Sequence, residues 1–210
     1  SIVVSHVRCL FSQPGLGNEA VLDAMRAFPG RILGYVVLLP KSEEWVRGEM
    51  ERGVANGFVG LKLHNANGIP YDEPKYEPAL AIANERRMPV LFHTWGRDEE
   101  FEQFRVLAAK FPDASLLLAH SGAANEAEYV KIAREFENIY LDVCFSTGPC
   151  GLVERLVWGA GVDKVVWGSD AIFLSITQQV GKVLAARLPE EEKRKILSAN
   201  ARRILGRIRK

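Results

Sequence analysis

Seven short runs of β-branched and other apolar residues recur along the chain, at residues 2–4, 32–39, 58–63, 89–92, 116–119, 139–143 and 165–167. Near-continuous hydrophobicity of this kind marks strands covered on both faces, as in a parallel sheet. Helical periodicity fills the intervals. Over 18–28 the spacing places Val21, Leu22, Met25 and Phe28 on one face, and Pro29-Gly30 ends the pattern. Ser42 before Glu43 and Glu44 reads as a helix entry, because a hydroxyl can cap free amides and acids suit the positive helix end. Further helices are predicted over 77–87, 98–111, 125–136, 152–159 and 189–205, with Pro112 and Gly161 just past two of them. Alternation of this sort predicts a single α/β domain over residues 1–210 with a parallel sheet. A doubly wound sheet and a (β/α) barrel both satisfy it.

Composition narrows the function without naming it. Lys and Arg total 27 against 26 Asp and Glu, a formal net charge of +1. That balance gives no electrostatic reason to expect nucleic acid or a membrane surface as partner. The basic residues Arg202, Arg203, Arg207, Arg209 and Lys210 fall at a helical C-terminus, where the macrodipole favours cations. Cys9, Cys144 and Cys150 form no CxxC pair and read as reduced thiols. No apolar run approaches the ~20 residues that span a bilayer, and no signal-peptide pattern opens the chain, so a cytoplasmic location is expected.

The chemistry lies where the strands stop. Val90-Leu91-Phe92 runs into His93-Thr94-Trp95, and Leu116 to Ala119 runs into His120-Ser121-Gly122. Val165-Val166-Trp167 runs into Gly168-Ser169-Asp170, and Gly60-Leu61-Lys62-Leu63 into His64. In a (β/α) barrel the C-terminal strand edge is where side chains from several strands converge on one mouth. A lone histidine there is commonly a packed core residue. Three of the chain's four histidines ending strands in the same sense point instead to a shared site. Two imidazoles and a carboxylate form a sensible ligand set for Zn²⁺ or a similar divalent ion.

These stretches resemble the amidohydrolase-2 group of metal-dependent TIM-barrel hydrolases and decarboxylases. The resemblance rests on Phe28-Pro29-Gly30-Arg31, on Gly57 through His64, on Pro89 through Thr94, on Leu118 through Gly122, on Asn138 through Asp142 and on Trp167 through Asp170. The segment Asn200-Ala201-Arg202-Arg203-Ile204-Leu205 is similar to the family's closing helix. The resemblance implies a TIM-like barrel and one divalent ion, zinc first and manganese second. It implies that His93, His120 and Asp170 are metal ligands. Asp170 would be the general base, and His120 a ligand or a hydrogen-bonding partner of substrate and water. A cation lowers the pKa of bound water toward ~7, and a nearby carboxylate can take the proton. Lys62 and His64 share strand parity and would both face the mouth as substrate-binding groups, with Trp95 as an apolar wall. Some relatives carry a carbamylated bridging lysine in this strand, a second role open to Lys62.

The match departs from the family at the start. The family's first strand carries His-x-His, which this chain lacks: His6 has only Arg8 at that spacing. The run at 2–4 therefore reads as the family's second strand, and the barrel as incomplete, with strands equivalent to 2–8. Its two outer strands would recruit a second copy, giving a homo-oligomer, or close on each other in a tightened ring. The expected function is a metal-dependent hydrolase of a small amide, ester or lactone, or a related non-oxidative decarboxylase. The rival is an inactive barrel that binds a small molecule or partner, since two ligands are missing. Asn18-Glu19 reads as helix-start chemistry, Asp142 as a strand-end residue lining the mouth, and Cys144 and Cys150 as poor nucleophiles for want of a neighbouring histidine in sequence.

Overall fold

The computed structural model describes residues 1–6, 13–145, 148–171 and 173–209. Cys9, Arg8 and Lys210, named above, lie outside the described residues. The strands are β1 Ile2–Val4, β2 Ile32–Val37, β3 Gly60–Leu63, β4 Pro89–Phe92, β5 Ser115–Leu118, β6 Ile139–Asp142 and β7 Val165–Val166. All pair in parallel in chain order, β1 through β7, as the alternation predicts. The helices are α1 Pro14–Ala27, α2 Glu43–Ala55, α3 Glu77–Glu85, α4 Asp98–Lys110, α5 Glu126–Glu135, α6 Leu152–Ala160, α7 Ile176–Leu184, α8 Glu190–Arg194 and α9 Asn200–Gly206, with a π-helical turn Lys195–Ala199 joining the last two. The result is an incomplete TIM-like barrel. Its outer strands β1 and β7 are not paired with each other in the described sheet, so the tightened-ring arm of the expectation is not what forms.

Alternation sorts the side chains. Leu61, Leu63, Val90, Phe92, Leu116, Leu118, Ile139 and Leu141 join the helices in the main buried cluster. Full burial of an aliphatic or aromatic side chain there stabilises by about 1.5–3 kcal/mol. The opposite parity gives the register Lys62, Leu91, Leu117 and Tyr140 across β3 to β6. Leu117, Tyr140 and Val166 pack with Ile204 of α9, so the closing helix covers this inner face. The basic tail is tied down beside it. Arg207 donates to Ser115 Oγ at 3.1 Å and to the Asp113 carbonyl, and Arg203 donates to the Asp163 carbonyl. These contacts sit by the N-terminal strand ends, the face of such folds that serves stability.

Two helices differ from expectation. α1 begins four residues before Asn18, so Asn18 and Glu19 lie inside it and do not start it, and Phe28 falls beyond its end, exposed. Asn18 is buried and clamps β2 with both ends of its amide: Nδ2 donates to the Val37 carbonyl at 3.0 Å, and Oδ1 accepts the Val37 N–H at 3.0 Å. The same Nδ2 donates to Glu49 Oε1 at 2.7 Å, and Glu19 pairs with Arg52. Gly34 lets α1 approach this closely, because a Cβ there would stand 2.7 Å from Val21 and Met25 atoms. α7 was not predicted. Its entry is nonetheless written in the chain, since Ser175 accepts the Gln178 N–H as an N-cap. Its apolar residues Ile176 and Leu184 are more than half exposed, while Gln179 and Val183 are buried. Among the described residues no helix is long and apolar enough to cross a membrane.

Asn18→Ala leaves the Val37 N–H and C=O buried without their partner. Urea denaturation should show a loss of about 1–3 kcal/mol; an unchanged midpoint would mean the clamp contributes nothing.

Candidate metal and substrate site

β3 and β4 carry inner-parity side chains past their ends, so His64 continues from Lys62 and His93 from Leu91 toward the same mouth. The two rings stack, with centroids 3.8 Å apart and planes at 16°. β5 offers the opposite case. Leu118 is outward-facing, so strict alternation would turn His120, two residues on, toward the helices. His120 instead adopts φ +60°, in the left-handed region that L side chains rarely occupy. The turn brings its ring inward, with Nε2 3.1 Å from His93 Nδ1. Asp170 also has positive φ, +48°, and its Oδ2 stands 3.9 Å from His120 Nε2. Such strain costs about 1–3 kcal/mol for a residue like histidine and persists where the surroundings over-determine it.

Trp95 lies parallel to His120, centroids 5.3 Å apart at 8°, and edge-on to His93 at 4.7 Å. His64, His93, Trp95 and His120 therefore form one continuous aromatic cluster. Asp170 lies at its rim, half exposed. Lys62 is buried on the inner face below and makes no ion pair among the described residues; it acts on the cluster through its charge.

Burial dominates the electrostatics. It lowers His93 to about 2, helped by His64, Lys62 and His120, and lowers His64 and His120 to about 4. All three imidazoles are neutral near pH 7, and His64 Nδ1 accepts the Ala66 N–H at 3.0 Å. Burial also lowers Lys62, against the pull of Cys144, Asp142 and Asp170. Asp142 is pushed up to about 7 by burial, against the pull of Lys62 and Lys182. Asp142 Oδ1 and His93 Nε2 are buried with no hydrogen-bond partner. Gly168 makes room for the Asp142 carboxylate, since a Cβ there would stand 2.6 Å from Oδ1.

The loops carrying these groups brace one another. Tyr71, fully buried, donates its hydroxyl to the His93 carbonyl and accepts the Asn65 N–H at 3.1 Å. Glu100 accepts the N–H groups of Trp95, Gly96 and Arg97, and its other oxygen takes Asn65 Nδ2 at 2.7 Å. Thr94 Oγ1 donates to the Ala119 carbonyl, next to His120.

Two nitrogens bound to one ion at ~2.0–2.1 Å stand about 2.9–3.4 Å apart for angles between square and tetrahedral. The separation of His93 Nδ1 from His120 Nε2 fits that range. The third donor is looser: among the described residues no group of three or more His, Cys, Asp or Glu side chains is disposed to hold an ion. The pair of imidazoles fits a cation; Asp170 stands just outside its reach.

The amidohydrolase family model matches residues 5–207. The chain belongs to the amidohydrolase family. No curated protein sequence matches it. Among solved structures, this amidohydrolase is similar to the 2,6-dihydroxybenzoate decarboxylase from Rhizobium at TM-score 0.76 and 17% identity, covering 92% of this chain and 76% of that one. The 5-carboxyvanillate decarboxylase from Sphingomonas paucimobilis gives TM-score 0.72 and 17% identity over 92% of this chain and 72% of that one. A dihydroxybenzoic acid decarboxylase from Polaromonas sp. JS666, solved with bound manganese and 2-nitroresorcinol, gives 0.76 and 17% over 94% and 78%. At this identity the likeness is one of fold.

Residues that sequence reading passed over also face this amidohydrolase site. Cys144 Sγ lies 3.4 Å from His120 Nδ1, a neighbour no sequence spacing reveals. Lys182 of the unpredicted α7 donates to the Val143 and Phe145 carbonyls, and the Phe145 ring stands 6.1 Å from His120.

Tyr71→Phe removes the shared hydroxyl and leaves the His93 C=O and Asn65 N–H unpaired. Stability should fall by about 1–3 kcal/mol, with faster hydrogen exchange at Asn65; an unaltered exchange rate there would remove Tyr71 from the bracing.

Proposed function

We propose that this amidohydrolase is a metal-dependent enzyme acting on a small molecule, either hydrolysing an amide, ester or lactone or removing a carboxyl group without oxidation. The observation that carries the reading is the 3.1 Å approach of His93 Nδ1 to His120 Nε2 at the C-terminal strand edge, with the Asp170 carboxylate next to it. His93 and His120 would hold one divalent ion, with Asp170 as the third donor. When bound, the ion supplies Lewis-acid polarisation of the group that reacts. Zn²⁺ suits an imidazole-rich set, and the manganese of a neighbour of the same fold makes Mn²⁺ the second choice.

The chain's own side chains supply the rest. Asp170 is half exposed, so it can take a proton at Oδ2 and release it to solvent. Lys62 offers a donor from the inner face, and His64 a second polar group above it. Trp95, packed flat on His120, forms a wall against which a planar or apolar substrate part can lie and exclude water. The absence of a three-donor group among the described residues favours a second reading, a barrel that binds its small molecule without turnover. The outer edges of β1 and β7, unpaired among the described residues, favour a homo-oligomer, which light scattering checks: a monomer at micromolar concentration counts against it.

Protein purified without chelator should contain an ion, or take up Zn²⁺ or Mn²⁺ when offered. Less than about a tenth of an equivalent, with no uptake by calorimetry, leaves the non-catalytic reading. Any hydrolysis or decarboxylation found should fall by about a hundredfold or more in Asp170→Asn; unchanged turnover removes Asp170 from the chemistry.

A further inference from the structure

His120 must present one nitrogen to the mouth and find a partner for the other, and the protein partner within reach of the far one is sulfur. Cys144 Sγ is 3.4 Å from His120 Nδ1 and accepts the His120 backbone N–H at 3.3 Å. Two points of attachment on one residue set both the backbone turn and the plane of the ring. The thiol is itself held. Val143 and Phe145, on either side of Cys144, both offer their carbonyls to Lys182 Nζ, the latter at 2.6 Å. Beside the thiol lies the Asp142 carboxylate, which the thiol's hydrogen bond helps to keep charged.

We infer that Cys144 is a positioning residue for His120: its sulfur accepts both the backbone N–H and the ring Nδ1–H, fixing the Nδ1–H tautomer and leaving the Nε2 lone pair toward His93 and Asp170. The thiol's own proton turns to the Asp142 carboxylate, with which it shares a hydrogen bond, so the sulfur is left as the acceptor. His93 Nδ1–H then donates to His120 Nε2 across the 3.1 Å gap. Each proton in the series Asp142, Cys144, His120, His93 has one direction. A partner on the far nitrogen that sets the tautomer of the near one is also what a metal-binding or proton-accepting histidine needs. α7 enters the site through this contact, by way of Lys182 just past the end of β6.

The tautomer stands independently of catalysis; its consequence for an ion rests on the function proposed above. The test is nitrogen-15 NMR of the histidine side chains in full-length protein stripped of metal, at neutral pH. Signals of His120 are identified by their loss in His120→Gln. The wild type should show Nδ1 protonated and Nε2 bare. Cys144→Ser, which keeps an acceptor, should retain that state, while Cys144→Ala should shift the tautomer ratio by about three- to tenfold toward Nε2–H. Nε2–H in the wild type overturns the inference, whether or not Cys144→Ala folds. So does a ratio unchanged in Cys144→Ala, or Cys144→Ser behaving like it. Zn²⁺ titration gives a separate readout: Cys144→Ala should bind about ten- to a hundredfold more weakly than wild type. If the wild type shows the expected tautomer yet binds no ion, the proposed function fails and the assignment to Cys144 holds.

Discussion

Side chains of a parallel strand point alternately to its two faces, and in this chain one face is committed to the helices. Leu61, Phe92, Leu118 and Leu141 fill that outer layer, so Lys62, Leu91, Leu117 and Tyr140 must share the inner one. Whatever follows the strands at their C-terminal ends inherits this sorting. His64 and His93 reach the mouth simply by continuing the alternation. His120 and Asp170 reach it through left-handed turns, and those turns are the backbone's contribution to the site.

Holding this arrangement is costly. Three imidazoles, an amine and a carboxylate sit in a region that disfavours their charged forms, and one histidine is strained. The fold offsets this by rigid bracing instead of local charge pairing. Tyr71 grips the His93 backbone, Glu100 gathers three amides of the β4–α4 turn, and Thr94 links that turn to the next strand end. None of these contacts touches the mouth. Each removes a way for the mouth to relax.

Much of the fold was legible because burial on two faces writes itself as unbroken apolar runs. All seven strands lie where those runs lie, and His64 and His93 meet because each continues such a run. What was not legible depends on angles and on distant segments. Nothing in the letters around residue 120 says that its φ is positive. Cys144 was set aside because no histidine stands near it in sequence, yet the neighbouring strand brings one within hydrogen-bonding distance. α7 and its Lys182 have no counterpart among the predicted helices, although Ser175 marks the helix start. Asn18 was read as a helix start because an amide before an apolar stripe usually is one. Here the amide serves the adjacent strand, a tertiary use that no local propensity encodes.

The spacing of donors at the mouth bears on which parts of the site are rigid. His93 and His120 are set by strand register, by Tyr71 and by the double attachment of His120 to Cys144, and their nitrogens stand at a separation that one cation could span. Asp170 follows a two-residue strand, and its carboxylate is partly exposed. A carboxylate that stays hydrated at the edge of a preformed imidazole pair keeps its solvation until something cationic or protic arrives. Moving it fully inward would bury a charge beside neutral rings, offset only in part by the pull of Lys62. The partly exposed position of Asp170 therefore keeps that hydration, while the two imidazoles are held at a fixed separation by the backbone around them.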